Sequence, residues 1–392
     1  LKGVLSEVGI AGALLAYRSE RQGGALVVID GHLRKDAAPQ VWPVLILDVD
    51  DAEADYLLVV HDPLAAMATA DAGALDALLS SVQSGEAAVQ AMLAELAPPH
   101  VSMQQINKLL QTQPENLINT DMAYHVADTY HKHRFHASAE GMKSPYESFM
   151  DDDTLRRALR LNREYGGSLN TNAFGEMWIV SGTQAAANFR PGFAAYLYRQ
   201  FCPDNATVLD TSTGYGGRLV GFIGSGRAGF YIGIDPNVET HAGNLRMADE
   251  LGFSDKIELH NLPAEDVPHD VVAARCDFAF TSPPYFRKEH YSEDDTQSWK
   301  RYPTGDEWRD GFLVPMMALQ YVALKPGSFA IVNIADVTIK NKRYPLADWT
   351  IDAGRAVGFE FIRRNDFPLT RRFGAGQDDE IATEPVLIFR HD

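Results

Sequence analysis

The stretch Val208-Leu209-Asp210-Thr211-Ser212-Thr213-Gly214-Tyr215-Gly216-Gly217-Arg218 decides the fold of the C-terminal half of this chain. Its apolar residues predict a buried strand that ends at Asp210, and its glycines predict a turn that leads into a helix. Glycine in such a turn permits positive φ angles and lets the backbone approach a ligand closely. A strand, a glycine-rich turn and a helix in this order indicate the first unit of a doubly wound α/β fold.

A second predicted strand ends at Gly233-Ile234-Asp235-Pro236-Asn237. An acid at this position, about twenty residues after a glycine-rich turn, is placed to accept hydrogen bonds from ribose hydroxyls. The turn alone would be weak support, since many such turns only connect a strand to a helix. Together with Asp235 it predicts a nucleoside cofactor.

A third strand end carries Thr281-Ser282-Pro283-Pro284-Tyr285. Two prolines stop strand pairing and make the following backbone rigid. Ser282 and the carbonyl of Pro283 can accept the two N–H bonds of an exocyclic amine, and Tyr285 can stack on a base. Considered alone, the segment could equally be an ordinary strand end with Tyr285 in the core.

These segments resemble the amino-methyltransferases of DNA, whose catalytic motif is D/N/S-P-P-Y/F/W. The resemblance covers about residues 184–392 and implies a Rossmann-like class I S-adenosylmethionine-dependent methyltransferase in the unpermuted order. It also implies S-adenosylmethionine as cofactor. The implied catalytic residues are Ser282, Pro283, Pro284 and Tyr285. The implied cofactor-binding residues are Phe189, Arg190, Pro191, Asp210, Thr211, Gly214, Gly216, Asp235, Pro236, Glu265 and Thr281.

One position departs from the family's usual pattern, and a second bears on the substrate. Pro263 stands where an acid normally contacts adenine, so Glu265 is the substitute that we expect. Ser282 replaces the aspartate typical of adenine-N6 enzymes, and T-S-P-P is more typical of cytosine-N4 enzymes. The resemblance therefore favours cytosine N4 over adenine N6. Cytosine-C5 chemistry needs a nucleophilic cysteine, and neither Cys202 nor Cys276 lies in a suitable loop.

Methylation of a base within a duplex requires that the base be flipped out of the stack, so the implied partner is double-stranded DNA. Arg287 and Lys288 follow the catalytic motif, and Arg371 and Arg372 lie further on. We expect these four residues to contact DNA, although the first two could also belong to a solvated loop. The oligomeric state is left open, with a homodimer as one alternative.

The N-terminal part, including Ile29-Asp30-Gly31-His32-Leu33-Arg34, resembles the ParB-like N-terminal domain. The resemblance implies a phosphate or nucleotide site at Gly31, His32 and Arg34, and we expect the domain's opening strand to be trimmed. Pro98-Pro99 and Gly166-Gly167 mark breaks in the pattern. We therefore predict a ParB-like domain at 1–97, a helical connector with a possible DNA-recognition role at 98–167, and a methyltransferase domain at 168–392.

Composition limits the function further. The net charge is −18, and the first 100 residues carry five Lys/Arg against fourteen Asp/Glu. This balance argues against a protein that coats nucleic acid, and any DNA-binding face would have to rest on local basic clusters such as Lys340/Lys342/Arg343. The spacing of the two cysteines and of the histidines between 125 and 136 fits no standard metal site, so we expect no metal.

No signal peptide and no span of about 20 apolar residues is recognisable. We expect a cytoplasmic protein of a bacterium or a phage-infected host, and the combination of domains resembles phage or mobile-element proteins. Two alternatives remain open. One is a nucleotide-responsive ParB-like DNA-binding protein with an inactive methyltransferase scaffold. The other is the same fold modifying RNA or transferring a different group.

Overall fold

The structure is a computed structural model that describes residues 14–30, 44–61, 98–118, 120–164, 182–183, 186–227, 229–368 and 383–392. It divides into two compact units, Leu1–His100 and Val101–Asp392. No helix among these residues combines the length and the apolarity needed to cross a membrane. The three-part division predicted from the sequence is not tested by these two units and stays a prediction.

The first unit contains a small mixed sheet and one helix. Its strands are β1 (Leu14–Ser19), β2 (Ala25–Asp30) and β3 (Val44–Leu47), and its helix is α1 (Asp51–His61). β1 lies in the centre, antiparallel to β2 and parallel to β3. The sequence predicted β2, β3 and α1 to within two residues at each end but missed β1. The predicted helices at 33–38 and 72–96 lie outside the described residues.

The second unit opens with the connector. Its elements are α2 (Pro98–Gln111), α3 (Tyr124–Tyr130), β4 (Ser138–Ala139), α4 (Pro145–Met150) and α5 (Asp152–Glu164). Short 3₁₀ segments at Pro114–Asn116 and Lys132–His136 link them. The connector is mainly helical, as predicted. Its residues Ile106, Leu109, Leu117, Val126 and Tyr130 are buried in the same hydrophobic cluster as one face of the large sheet.

The large sheet and its helices follow. The strands are β5 (Thr207–Asp210), β6 (Phe230–Ile234), β7 (Ile257–His260), β8 (Cys276–Thr281), β9 (Glu289–His290), β10 (Leu324–Asn333), β11 (Val337–Ile339), β12 (Lys342–Tyr344), β13 (Glu360–Pro368) and β14 (Thr383–Arg390). The helices are α6 (Pro191–Phe201), α7 (Gly217–Ser225), α8 (Val238–Glu250), α9 (His269–Val272), α10 (Ser298–Arg301), α11 (Gly305–Trp308), α12 (Val314–Ala323) and α13 (Leu346–Val357).

Seven strands form the large sheet in the order β13-β14-β10-β8-β5-β6-β7. Neighbours from β10 to β7 are parallel, whereas β14 is antiparallel to both β10 and β13. The chain runs outward from β5 through β6 to β7 and then returns to β8 on the other side of β5. The α/β, Rossmann-like fold class predicted from the sequence is thereby confirmed.

Side chains of the central strands alternate between the two faces of this sheet. Phe278 and Phe280 of β8 enter one hydrophobic cluster, whereas Ala279 between them enters the other. Helices cover both faces, and all but one residue in each of β5, β6 and β8 is buried, as is typical of parallel sheets. The order of the strands reverses between β5 and β8, and ligands of open α/β sheets bind at the carboxyl ends of strands at such a point.

Candidate functional site

The glycine-rich turn joins the end of β5 to α7 at the point where the strand order reverses. Gly214 and Gly216 have φ angles of 56° and 76°, a region that glycine occupies without strain. The Gly214 N–H donates to Oδ2 of Asp235 at 2.8 Å. The first two predicted cofactor motifs, which are distant in sequence, are therefore joined by a direct hydrogen bond.

Asp235 lies just beyond β6 with a half-buried carboxylate. Besides Gly214, the N–H of Asn237 donates to its Oδ1 at 2.9 Å. Burial raises the pKa of Asp235 to about 6, although the two backbone N–H groups act in the opposite direction. Each carboxylate oxygen keeps a further lone pair, so Asp235 can accept hydrogen bonds from the hydroxyls of a ribose.

The turn itself is closely enclosed. A Cβ added to Gly216 would lie 2.4 Å from Oδ1 of Asn244, and one added to Gly217 would lie 1.9 Å from the Phe189 carbonyl oxygen. Oδ1 of Asn244 and the hydroxyl of Tyr215 are buried without a hydrogen-bond partner among the described residues. The turn therefore offers a closely enclosed backbone, two side-chain atoms with no hydrogen-bond partner among the described residues, and the Asp235 carboxylate beside them. These features fit a nucleoside cofactor such as S-adenosylmethionine.

The Asp210 carboxylate is surrounded by hydrogen-bond donors of the protein itself. Its buried carboxylate forms an ion pair with Arg218, with Nε and Oδ2 2.7 Å apart, and receives a second bond from Nη2 of Arg218. The Tyr231 hydroxyl, the Thr281 hydroxyl and the Ser212 N–H donate to it at 2.7, 3.0 and 3.1 Å. Asp210, predicted as a cofactor contact, thus has its carboxylate engaged by protein donors that hold the turn in place.

The segment 282–285, whose residues are the predicted catalytic ones, leaves the carboxyl end of β8 next to β5 and is named the catalytic segment after that prediction. Ser282 and Tyr285 are partly exposed at this edge of the sheet, whereas Phe286 is 2% exposed. Phe286 has a φ of 55°, and its N–H donates to the Pro284 carbonyl at 3.0 Å. A non-glycine residue in the left-handed region is uncommon and often occurs at functional sites. The chain therefore turns sharply directly after Tyr285.

The hydroxyl of Tyr285 is fixed by the ends of two other strands. Nδ2 of Asn333, at the end of β10, donates to this hydroxyl at 2.8 Å, and the hydroxyl donates to Oε1 of Glu384 in β14. Burial and the Glu384 carboxylate raise the pKa of Tyr285, while an interaction with the Ser282 side chain opposes the rise. The tyrosine is therefore neutral, and its ring is held beside Ser282.

The connector pairs with the segment that follows the catalytic motif. Ser138 and Ala139 of β4 lie opposite His290 and Glu289 of β9 in a two-stranded antiparallel sheet. The N–H of Glu140 extends this pairing by donating to the Lys288 carbonyl at 3.1 Å. The connector thus fixes the outgoing end of the catalytic segment, a contact that the sequence did not predict.

Other predicted cofactor residues lie around the same turn. The Phe189 ring contacts Arg218 and Phe280, with 5.3 Å from Cζ of Arg218 to the ring centroid. Pro191 is the buried first residue of α6, and the Arg190 guanidinium lies over the ring of Phe193. Thr211 is buried and accepts a hydrogen bond from Nε2 of Gln320 at 3.1 Å, and Pro236 follows Asp235.

The remaining predicted residues are less closely tied to the turn. Glu265 follows β7, and its Oε1 forms an ion pair of 2.8 Å with Arg301. Oε2 of Glu265 is buried without a hydrogen-bond partner among the described residues, so it could still accept a bond from an adenine amine. Arg287 and Lys288 are partly exposed beyond the catalytic segment. Arg371, Arg372, Gly31, His32 and Arg34 lie outside the described residues.

Several site residues escaped the sequence analysis. Arg218 is the last residue of the glycine-rich stretch, and this position is a signal in the sequence that could have identified it. Glu384 opens the segment that resembles the family's closing strand. Asn333, Asn244 and Tyr231 carry no signal of this kind, because only the sheet topology brings them to the site.

Two histidines of the connector, His131 and His133, lie near the turn with their rings 5.8 and 5.4 Å from the ring of Tyr215. Burial lowers the pKa of each to about 4, so both are neutral at physiological pH. No group of three His, Cys, Asp or Glu side chains that could hold a metal ion occurs in the part of the chain that the structure describes.

Comparison with known proteins gives no match to a family model or to a curated protein. Among solved structures, the [4+2]-cyclase SpnF is similar at 14% identity over 52% of this chain and 83% of the cyclase, with a TM-score of 0.36. TrmN from Thermus thermophilus is similar at 16% identity over 52% of this chain and 49% of TrmN, with a TM-score of 0.35.

A third similar structure is the geranyl diphosphate C-methyltransferase of Streptomyces coelicolor A3(2), solved with S-adenosyl-L-homocysteine. It is 11% identical over 58% of this chain and 88% of that enzyme, with a TM-score of 0.39. At TM-scores this low the assignment of a function has to rest on the residues and geometry of the chain itself.

Proposed function

We propose that this chain is an S-adenosylmethionine-dependent DNA methyltransferase that modifies the exocyclic amine of a flipped base. The observation that carries the proposal is the hydrogen bond of 3.0 Å from the Thr281 hydroxyl to Asp210. It joins the strand end that precedes Ser282 to the strand end that precedes the glycine-rich turn. The turn that we propose for the cofactor and the segment that we propose for the amine therefore lie side by side, as direct transfer between two bound groups would require.

Asp235 and the turn around Gly214 and Gly216 would hold the cofactor, which supplies an electrophilic methyl group when bound. Ser282 and the Pro283 carbonyl would accept the two N–H bonds of the target amine and direct its nitrogen lone pair at that methyl group. Tyr285, fixed by Asn333 and Glu384, would stack on the base. The nitrogen–methyl bond would form as the sulfur–methyl bond breaks, which leaves a neutral thioether, and the amine would then lose one proton to water. The protein would contribute chiefly by orienting the two reacting groups, which can lower the activation barrier by several kcal/mol.

The identity of the base rests on the resemblance of residues 281–285 alone. Serine in place of aspartate favours cytosine N4, and adenine N6 is the alternative. Mass spectrometry of nucleosides decides between them, because N4-methylcytosine and N6-methyladenine separate by mass. DNA and RNA should be incubated in parallel with the chain and S-adenosylmethionine. Methylation of RNA alone would refute DNA as the substrate.

The role of Ser282 is tested by Ser282→Ala. The variant should lower kcat about 10²-fold, the usual cost of removing one positioned hydrogen-bonding group, while cofactor affinity measured by calorimetry stays within about threefold. Ser254→Ala makes the same chemical change at an exposed residue that pairs with Asp249 and should leave both quantities unchanged. Wild-type turnover in Ser282→Ala would sink the assignment of this residue, and absence of cofactor binding in the wild-type chain would sink the whole proposal.

A further inference from the structure

A basic hairpin stands beside the catalytic segment. It consists of β11 and β12, which pair from Val337 opposite Tyr344 to Ile339 opposite Lys342. The two residues at its tip, Lys340 and Asn341, have φ angles of 49° and 64°. This is the left-handed pair of a type I′ turn, whose twist matches that of the flanking strands. The hairpin is therefore a defined element.

The base of the hairpin is anchored next to the predicted base-binding tyrosine. The ring of Tyr344 lies 4.9 Å from the ring of Phe286, the residue directly after Tyr285. Val337 and Ile339 are 7% and 9% exposed and face the core. The hairpin therefore extends from the same edge of the sheet as the catalytic segment.

The tip of the hairpin is positively charged in an acidic chain. Lys340, Lys342 and Arg343 are all exposed, with 81% and 74% of the Lys340 and Arg343 side chains accessible, whereas the whole chain carries a net charge of −18. Lys340 pairs with Glu140 at 3.0 Å, and Arg343 pairs with Asp336 at 2.7 Å. The Lys342 ammonium lies 5.0 Å from the centroid of the Tyr344 ring.

We propose that the tip of this hairpin, Lys340 to Arg343, binds phosphates of the DNA duplex next to the flipped base. The location rests on the proposed function, because it takes Tyr285 as the place where the base stacks. The two ion pairs do not oppose this role, since the Lys340 and Arg343 side chains are 81% and 74% exposed and each cation has more N–H donors than one carboxylate uses. A phosphate can therefore bind either cation beside its carboxylate.

The test is the salt dependence of duplex binding. Each phosphate neutralised by a cation contributes about 0.9 to the slope of log K against log salt concentration. A variant with Lys340→Gln, Lys342→Gln and Arg343→Gln should reduce that slope by up to about 2.7, for three contacts, and weaken binding at low salt at least ~10-fold. Fluorescence anisotropy with a labelled duplex oligonucleotide measures both quantities.

The chain offers a matched control at the opposite edge of the sheet, near the amino ends of β7, β8 and β10. Lys256 lies over the ring of Phe253, while Arg275 pairs with Glu258 and Lys325 pairs with Asp277. Replacing these three cations with Gln makes the same change in charge and breaks the same kinds of contact. This control should keep the wild-type slope.

An unchanged slope in the hairpin variant, an equal fall in the control, or no salt-dependent duplex binding by the wild-type chain would each overturn the proposal. Lys342→Gln, which breaks no ion pair recorded among the described residues, should lower the slope by about 0.9 and guards against misfolding of the triple variant. Failure of the proposed function gives a different result. The wild-type chain would then bind the duplex with the hairpin-dependent slope but transfer no methyl group.

Discussion

Replacing Asp210 by asparagine should destabilise the protein strongly, because Asp210 is the counter-charge of a buried arginine. The Asp210 and Arg218 side chains are 0% and 4% exposed. Burial alone would lower the pKa of Arg218, but the Asp210 carboxylate more than offsets this and raises it, so the arginine stays charged. Asp210→Asn keeps the size of the side chain and leaves that charge buried and unpaired.

The expected loss is about 3–5 kcal/mol, the usual cost of breaking a buried ion pair by removing one partner. Urea unfolding followed by tryptophan fluorescence measures it. With a slope of about 3 kcal/mol per molar urea, the midpoint should fall by ~1–2 M. Tyr231→Phe is the milder control, because it removes one hydrogen bond to the same carboxylate and should cost about 1.5–3 kcal/mol.

A double variant separates the charge from the packing. Asp210→Asn combined with Arg218→Met removes both charges but keeps an amide oxygen that can accept from the Tyr231 and Thr281 hydroxyls. It should be more stable than Asp210→Asn alone, since no charge is left buried and unpaired. A loss below about 1 kcal/mol in Asp210→Asn would refute the reasoning. So would a double variant less stable than the single one.

Three further predictions concern the site. Burial raises the pKa of Asp235 to about 6, and under the proposed function its ionised form would accept ribose hydroxyls. Cofactor affinity measured by calorimetry should therefore fall as the pH drops through 6, and Asp235→Asn should abolish this dependence. Gly217→Ala would place a Cβ 1.9 Å from a carbonyl oxygen and should lower the free energy of unfolding in urea by about 1–3 kcal/mol. Gly252→Asn, at an open left-handed turn that asparagine tolerates better than other residues, should lower it by less. Tyr285→Phe loses both hydrogen bonds of the hydroxyl but keeps the ring, so its kcat should fall about tenfold. Glu384→Gln keeps an acceptor for that hydroxyl, so its kcat should fall less. Wild-type kcat in both variants would contradict a positioning role of the hydroxyl.

The sequence predicts much of the large sheet because its strands are short apolar runs that end at marked turns. The apolar runs at 257–260 and 329–334 each predict a strand, and the first of them matches the bounds of β7 in the structure. The predicted ends of β5, β6 and β8 lie within two residues of those in the structure. β10 begins at Leu324, well before the predicted Phe329, since its early residues include Pro326 and Gly327, which disfavour a strand in isolation. The strands β11 and β12 of the hairpin have only three residues each, which is too short for an alternating pattern to distinguish them from a loop.

The candidate site was predicted in its motifs but not in its connections. Ser282 to Tyr285 and the turn around Gly214 could be predicted from the sequence because proline restricts the backbone and glycine permits conformations that other residues avoid. The contacts of Tyr285 with Asn333 and Glu384 could not be, since they join residues that are 48 and 99 positions apart. Such contacts depend on the order of strands in the sheet, which local sequence does not encode.

The pairing of β4 with β9 bears on how this protein can be divided or recombined. A fragment cut between 167 and 168 would leave β9 without its partner strand and would remove Leu109, Val126 and Tyr130 from the hydrophobic core. Chimaeras joined at that point should therefore be insoluble, whereas exchanges made before α2 keep the core whole. During evolution the connector and the large sheet would then be inherited as a single piece, so a change of specificity would arise by substitution within that piece.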